Sequence, residues 1–281
     1  MVWIERFNKA ITFIEENIAD DISIDQVADI ACCSTFHFQR IFSFITNISI
    51  SEYIRRRKMT LAASDVLEDK MKIIDISLKY GYSSPTAFNR AFKSIHNVAP
   101  SQARNKGIVL KSFPPISFQL TVKGVEEMNF KIEKLETFRI IGTSIPLYKD
   151  IERNFEIVPQ MWQKVSTEGT LPKLVSLMQG PPIGILGISC CGDNDEWRYY
   201  ISVANKENTE FEEYIVPANT WAIFTGGGQC PKAIQDLERR IITEWLPSSG
   251  YEYANGPDIE VYLNDDIDNA EFEVWIPVIK S

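Results

Sequence analysis

Histidine occurs only twice in the 281 residues, at His37 and His96, and neither lies in the C-terminal half. The five cysteines fall as Cys32-Cys33, Cys190-Cys191 and Cys230, with no Cys-x-x-Cys spacing. These absences remove the usual donor sets for a metal, so no metal and no cofactor are expected. They also leave no Ser-His-Asp or Cys-His arrangement in the C-terminal half to support nucleophilic catalysis. Adjacent cysteines rarely close a disulfide, and the pattern fits a reducing, cytoplasmic location. No run of about 18 uncharged apolar residues is present, so no transmembrane helix is expected. Glu5, Arg6, Lys9, Glu15 and Glu16 interrupt the apolar residues of the N-terminal segment, which predicts an amphipathic helix and not a signal peptide.

What is present divides in two. A chain of 281 residues is long for one hydrophobic core, and its 44% apolar and 24% charged residues are ordinary for a globular protein. The net charge of -9 is unevenly spread. Residues 1–107 carry 14 Lys/Arg against 12 Asp/Glu, a balance of +2, and the remainder carries -11. An acidic total argues against nucleic acid for the chain as a whole, but leaves it open for the first part.

Residues 1–107 follow helical periodicity. Trp3, Phe7, Ile11 and Ile14 form one stripe, and Ser23, Ser34, Ser51 and Ser84 stand where helices are expected to begin. The segment FQRIFSFITN (38–47) returns as FNRAFKSIHN (88–97) fifty residues later. Phe38, Arg40, Phe42, Ile45 and Asn47 match Phe88, Arg90, Phe92, Ile95 and Asn97. Each copy follows a shorter helix and a tight turn, Cys32-Cys33-Ser34 in one and Gly81-Tyr82-Ser83 in the other, so the pattern predicts two helix-turn-helix units. Thr35, Phe36, Gln39 and Arg40 on the first second-helix, and Thr86, Asn89 and Arg90 on the other, lie away from the apolar stripe. Gln, Asn and Arg suit hydrogen bonding to base edges, and two readers in one chain can address successive major-groove turns. Arg55-Arg56-Arg57-Lys58 lies between the units as a candidate phosphate contact or a solvated face.

Near Asn105-Lys106-Gly107 the texture changes, and Phe113-Pro114-Pro115 reads as a linker or entering extended segment, giving 108–127 as the junction. The remainder, 128–281, alternates β-type runs at 138–144, 183–189, 197–203, 220–226, 259–263 and 272–278 with helical stretches near 155–165 and 233–246. Thr137-Phe138 with Ile140, and Trp162, recur as Thr220-Trp221 with Ile223, and Trp245, at an offset of 83. EWRYYISV resembles EFEVWIPV in the same sense. Two βαββ repeats are therefore expected in one antiparallel sheet with helices on one face and a groove between halves. Alternation opposes Glu260 and Tyr262 to Ile259, Val261 and Leu263; Trp275 and Glu273 to Phe272, Val274 and Ile276; and Tyr200 and Arg198 to Tyr199 and Ile201. If helices cover the aliphatic faces, an aromatic cleft with a carboxylate remains, suited to a lipophilic cation.

The run SIDQVADIACCSTFHFQRIFSFITNISISEYIRRRKMTLAASDVL with IIDISLKYGYSSPTAFNRAFKSIHNVAPSQAR resembles the tandem helix-turn-helix domain of AraC-type transcription regulators. The resemblance implies that both second helices read double-stranded DNA, through Phe36, Gln39, Arg40, Thr86, Asn89 and Arg90, with RNA polymerase as a further partner. Asn47 and Asn97 stand where the family usually has glycine, and Ile50 where it usually has proline. The segments FRIIGTS, TWAIFTGGG, EWLPSSGY, GPDIEVYLND and EVWIPV resemble the GyrI-like effector domain. That resemblance puts Glu260 in the ligand groove, with Tyr262, Trp275, Trp221 and Tyr200 as further pocket candidates. It implies a multidrug-type effector site on a non-enzymatic regulator. A hydrolase of reactive small molecules, using a glutamate and a tyrosine hydroxyl, and a drug-sequestering protein are the alternatives.

Overall fold

The computed structural model describes residues 2–105, 107–118, 127–148, 151–191 and 196–280. Contacts divide the chain into two compact units, Val2–Gln119 and Leu120–Ser281. Lys106, at the first expected boundary, and residues 119–126 of the expected junction lie outside the described residues.

In the first unit the helices are α1 (Val2–Glu16), α2 (Ile24–Ala31), α3 (Thr35–Thr46), α4 (Ile50–Glu68), α5 (Ile73–Lys79), α6 (Pro85–His96) and α7 (Pro100–Ala103). Ser23, Ser34, Ser49 and Ser84 each accept a hydrogen bond from the backbone N–H three residues on, satisfying a first-turn donor. The cap of α4 is Ser49, not Ser51. Ile50 is fully buried, and starting the helix there carries its side chain into the core. Asn47 and Asn97 end α3 and α6 at φ 58° and 64°, each N–H reaching the carbonyl four residues back. Asparagine thus supplies the left-handed residue expected of glycine. The duplicated phenylalanines Phe38, Phe42, Phe88 and Phe92 are all 0% exposed.

The stretch 108–118 is extended but not a loose linker. Its backbone is tied to side chains of α1, α4 and α6, and Phe113 packs on the core around Phe88 and Phe92. The basic run is likewise committed internally. Arg57 is buried and pairs with Glu15 at 2.7 Å, Arg55 and Arg56 pair with Glu52, and Lys58 donates to the Asp20 carbonyl. Glu15 at the end of α1 meets both Arg57 and Tyr53 of α4, and Glu52 is one turn from Arg55 and Arg56.

The second unit contains β1 (Phe130–Leu135), β2 (Phe138–Pro146), α8 (Ile151–Thr167), α9 (Thr170–Ser176), β3 (Ile185–Cys191), β4 (Trp197–Ala204), β5 (Glu212–Val216), β6 (Asn219–Gly228), α10 (Lys232–Arg240), a π-helical turn (Ile241–Trp245), β7 (Tyr251–Tyr253), β8 (Asp258–Tyr262) and β9 (Ala270–Lys280). The repeats appear as β2-α8-α9-β3-β4 and β6-α10-β8-β9. Strand order is β1-β6-β9-β8-β3-β4-β2-β5, antiparallel throughout, and the repeats meet where β3 pairs with β8.

This sheet is strongly curled. Only residues 136–137 link β1 to β2, and only 217–218 link β5 to β6, yet each link joins opposite ends of the strand order. In a flat sheet those ends would lie about 30 Å apart. Three Cα steps reach at most about 11 Å. The concave face therefore packs on itself, with Ile140, Ile188, Val216, Trp221, Ile259 and Trp275 in its core. The helices cover the convex face: α8 and α9 over Ile141, Ile201 and Val203, and α10 with the π turn over Phe224, Phe272 and Val274.

Candidate functional site

Each unit carries one candidate site. In the helical unit, Pro85 at the first position of α6 and the Ser84 cap fix where that helix begins. Phe88 and Phe92 anchor its inner face, leaving Thr86, Asn89 and Arg90 exposed. On α3 the matching positions differ. Phe36, Arg40 and Phe44 form a row one turn apart, and the Arg40 guanidinium lies 5.4 Å from the Phe44 ring centroid. Phe36 and Arg40 are half-buried, and Gln39 is only 6% exposed, against the sequence expectation of an open polar face there. The two helices share a scaffold and present different surfaces.

In the second unit, strand register places Gly187 opposite both Ile201 and Glu260, and Glu260 opposite Val274. Glu260 therefore projects from the convex face, at the seam between repeats. Tyr199 and Tyr262 each donate a hydroxyl hydrogen bond to Glu260 Oε2, at 3.1 and 3.0 Å. Trp162 of α8 donates its indole N–H to the Tyr199 hydroxyl at 2.9 Å and stands edge-on to the Tyr262 ring, centroids 5.0 Å apart. Burial and then the Glu260 charge push both phenols far above the ordinary tyrosine range. Both stay neutral donors and neither is a phenolate nucleophile. Glu260 remains partly exposed. Gly187 forms the floor: a Cβ there would run into the Tyr199 hydroxyl and lie 2.7 Å from Glu260 Oε2. Burial and then the Glu260 charge raise the Cys230 thiol, so that side chain lies near enough to feel the carboxylate.

Of the expected pocket residues, Tyr262 is brought to Glu260, and Tyr200, Trp221 and Trp275 are not. Tyr200 pairs with Ile188 and Trp275 with Ile259, so both face the concave core, where Trp221 packs on Trp275. The premise that helices cover every strand's aliphatic face fails here: the concave face is the more aliphatic on β8 and the convex one on β9. Tyr199, Trp162 and Gly187, absent from the expected set, complete the site. Trp162 carried a visible signal, its 83-residue match to Trp245. The two have diverged in use, since Trp245 packs edge-on to Phe224 in the core and to the more exposed Phe130.

Among the described residues, no group of three His, Cys, Asp or Glu side chains could hold a metal ion, and no helix is long and apolar enough to cross a membrane. An aromatic-walled carboxylate with two neutral hydroxyl donors can pair with a cation and stack on a flat or arylated one.

Comparison with known proteins divides at the same place. Residues 131–278 match the family described as integron-associated effector binding protein (Cass2), and residues 27–106 match a helix-turn-helix domain. The chain is 34% identical over 96 residues to the regulatory protein SoxS of Salmonella typhimurium, covering 34% of this chain and 90% of that protein. It is 30% identical over 140 residues to the uncharacterized HTH-type transcriptional regulator YbfP of Bacillus subtilis, covering 43% of this chain. The match spans about half of YbfP's length, 48%. A crystal structure of a putative bacterial transcription regulation protein from Staphylococcus aureus MU50 superposes with TM-score 0.49 at 20% identity, over 54% of this chain and 99% of that one.

Proposed function

Because the chain belongs to the integron-associated effector binding proteins through residues 131–278 and to the AraC-type regulators through its helix-turn-helix half, we propose that it is a ligand-responsive transcription regulator whose effector is a lipophilic, aromatic cation. The observation that carries the effector class is the Glu260 carboxylate, held by two tyrosine hydroxyls beneath the Trp162 indole. A charge kept in such surroundings favours a ligand of opposite charge that brings its own apolar surface. The raised phenols, which stay protonated, support binding over hydrolysis.

On the DNA side, α6 offers Thr86, Asn89 and Arg90 to base edges, and α3 offers Phe36, Arg40 and, from a buried position, Gln39. Different residues at matched positions support an asymmetric target. RNA polymerase is the partner through which a bound regulator would act, in the cytoplasm where the DNA is.

Selection of bound duplexes from a random pool, with and without a cationic aromatic probe such as ethidium or a tetraarylphosphonium, tests the whole reading. A recovered asymmetric motif, weakened by about 1–3 kcal/mol in Arg90→Ala, is expected. Probe binding should quench Trp162 fluorescence, and Glu260→Gln should weaken it by about 2–5 kcal/mol. No recovered motif would sink the regulator; equal probe affinity in Glu260→Gln would sink the effector class.

A further inference from the structure

The extended stretch 108–118 carries two aromatic anchors, one for each helix-turn-helix unit. Phe113 packs in the second unit's core with Phe88 and Phe92. Phe118 meets Phe7 and Phe42 of the first, edge-on, at 5.9 and 6.2 Å between centroids. Between and around them, the backbone is bonded to side chains of three helices. Lys111 N–H donates to His96 Nδ1 at the end of α6, at 3.2 Å. On α4, Phe113 N–H donates to Thr60 Oγ1 at 3.1 Å, and the Phe113 carbonyl accepts from Arg57. Ile116 N–H donates to the Tyr53 hydroxyl at 3.2 Å, and that hydroxyl in turn donates to Glu15. Asn8 of α1 takes both backbone groups of Phe118, accepting from its N–H and donating to its carbonyl, each at 2.8–2.9 Å.

Read from Lys111 to Phe118, the stretch passes from α6 across α4 to α1. Five Cα steps separate the two anchors, a fixed reach of about 17 Å for extended chain. A hydrogen-bonded backbone with a core aromatic near each end resists both stretching and sliding. Removing one such bond leaves a part-buried partner unsatisfied.

We propose that residues 108–118 are a tie that fixes the separation and angle of the two recognition helices, and so determines the half-site spacing the protein selects. The inference rests on the DNA-reading function proposed above. Without the tie, α4 would be the chief link between two small helical units, each free to follow its own half-site. With it, the pair behaves as a caliper of one setting. One inserted base pair rotates a half-site by about 34° and shifts it by about 3.4 Å, which a rigid pair cannot follow.

The experiment uses the full chain. The selected duplex is remade with one base pair added or removed between half-sites, and binding is measured for wild type, Phe118→Ala and Thr60→Val, with far-UV circular dichroism confirming helix content. The wild type is expected to lose at least about tenfold in affinity at either altered spacing, the size of one mismatched base pair. Both variants should bind the original spacing more weakly and lose distinctly less on respacing. Thr60→Val preserves shape, so it reports even if Phe118→Ala unfolds. Folded variants with the wild-type spacing profile, or a wild type indifferent to spacing, overturn the tie while leaving DNA reading intact. Failure to select any motif overturns the proposed function itself.

Discussion

Gly187→Ala adds one methyl group at the point where the two repeats of the effector-binding unit meet. On the present backbone the new Cβ would fall inside the Tyr199 hydroxyl, 2.7 Å from Glu260 Oε2 and 3.2 Å from Tyr199 Cζ. Ordinary contact begins near 3.4 Å, so the carboxylate must withdraw by most of an ångström and the phenol by more. Tyr199 cannot swing freely, because its hydroxyl also holds the Trp162 indole and its ring is only 4% exposed. Overpacking of this kind costs about 1–3 kcal/mol. Loss of the Tyr199–Glu260 hydrogen bond, which involves a charged acceptor, adds about 1.5–3 kcal/mol. A destabilisation of about 3–5 kcal/mol is therefore expected for the second unit, measured by urea unfolding followed by tryptophan emission. The cause is tested by Tyr199→Phe, which removes the atom the methyl would strike. The double variant should recover at least about 1 kcal/mol relative to the sum of the single changes. Strict additivity, or an unchanged midpoint in Gly187→Ala, refutes the packing described for this site. Gly227→Ala is the control, since its Cβ would approach nothing nearer than 3.3 Å.

Other perturbations separate the remaining claims. His96 accepts from Lys111 N–H at Nδ1 and therefore carries its proton on Nε2, facing the Met59 carbonyl at 3.0 Å. Burial, opposed by that carbonyl and aided by the Lys111 charge, lowers its pKa below the usual 6.5. The folded state thus binds its proton less readily than the unfolded one, so its contribution is complete above about pH 6.5 and fades as pH falls through the depressed value. Helical-unit stability measured down this range should decline less steeply in His96→Gln. Phe88→Ala, at a fully buried position, should cost about 3–5 kcal/mol in denaturant titration, and Thr86→Ala on the exposed face under about 0.5 kcal/mol. Glu260→Gln should leave the unfolding midpoint of its unit within about 1 kcal/mol or raise it, since it discharges a partly buried carboxylate while keeping an acceptor for the two phenols.

The helical half was legible because local rules govern it. Serine caps, left-handed asparagines and the duplicated phenylalanine stripe each act within a turn or two, and only the cap of α4 was displaced, by two residues. The fate of Arg57 and Lys58 was not legible, because their partners Glu15 and Asp20 lie some forty residues away and charge alone does not disclose a partner. In the second unit the long buried strands and the repeat were readable, whereas β1, β5, β7 and α9 were missed. FKIEKL and EEYIV lie on sheet edges with little burial to impose alternation, and TLPKLVS is short and proline-bearing. Alternation assigned each side chain to one of two faces correctly within a strand. It could not say which face of β4 or β9 continues that of β8, which is a matter of register. That one missing relation exchanged Tyr199 for Tyr200 and brought Trp275 into a site it does not reach; Trp221, put forward by the family resemblance, packs beside Trp275 in the concave core.

In β8, Ile259 and Val261 help to close the concave core, and Glu260 and Tyr262, interleaved with them, face the convex side where the effector site is proposed. A single strand thereby writes two texts in alternate letters, one for folding and one for recognition. A point substitution at 260 can rewrite the second without disturbing the first, whereas Tyr262 also packs on the core around Phe272, so chemically different effectors are within reach of one unchanged scaffold through position 260. Adding or losing one residue in β8 would transpose the two texts, putting a carboxylate into the dry core and isoleucine into the groove. Diversity in this unit is accordingly open to replacement and closed to change of length along that strand.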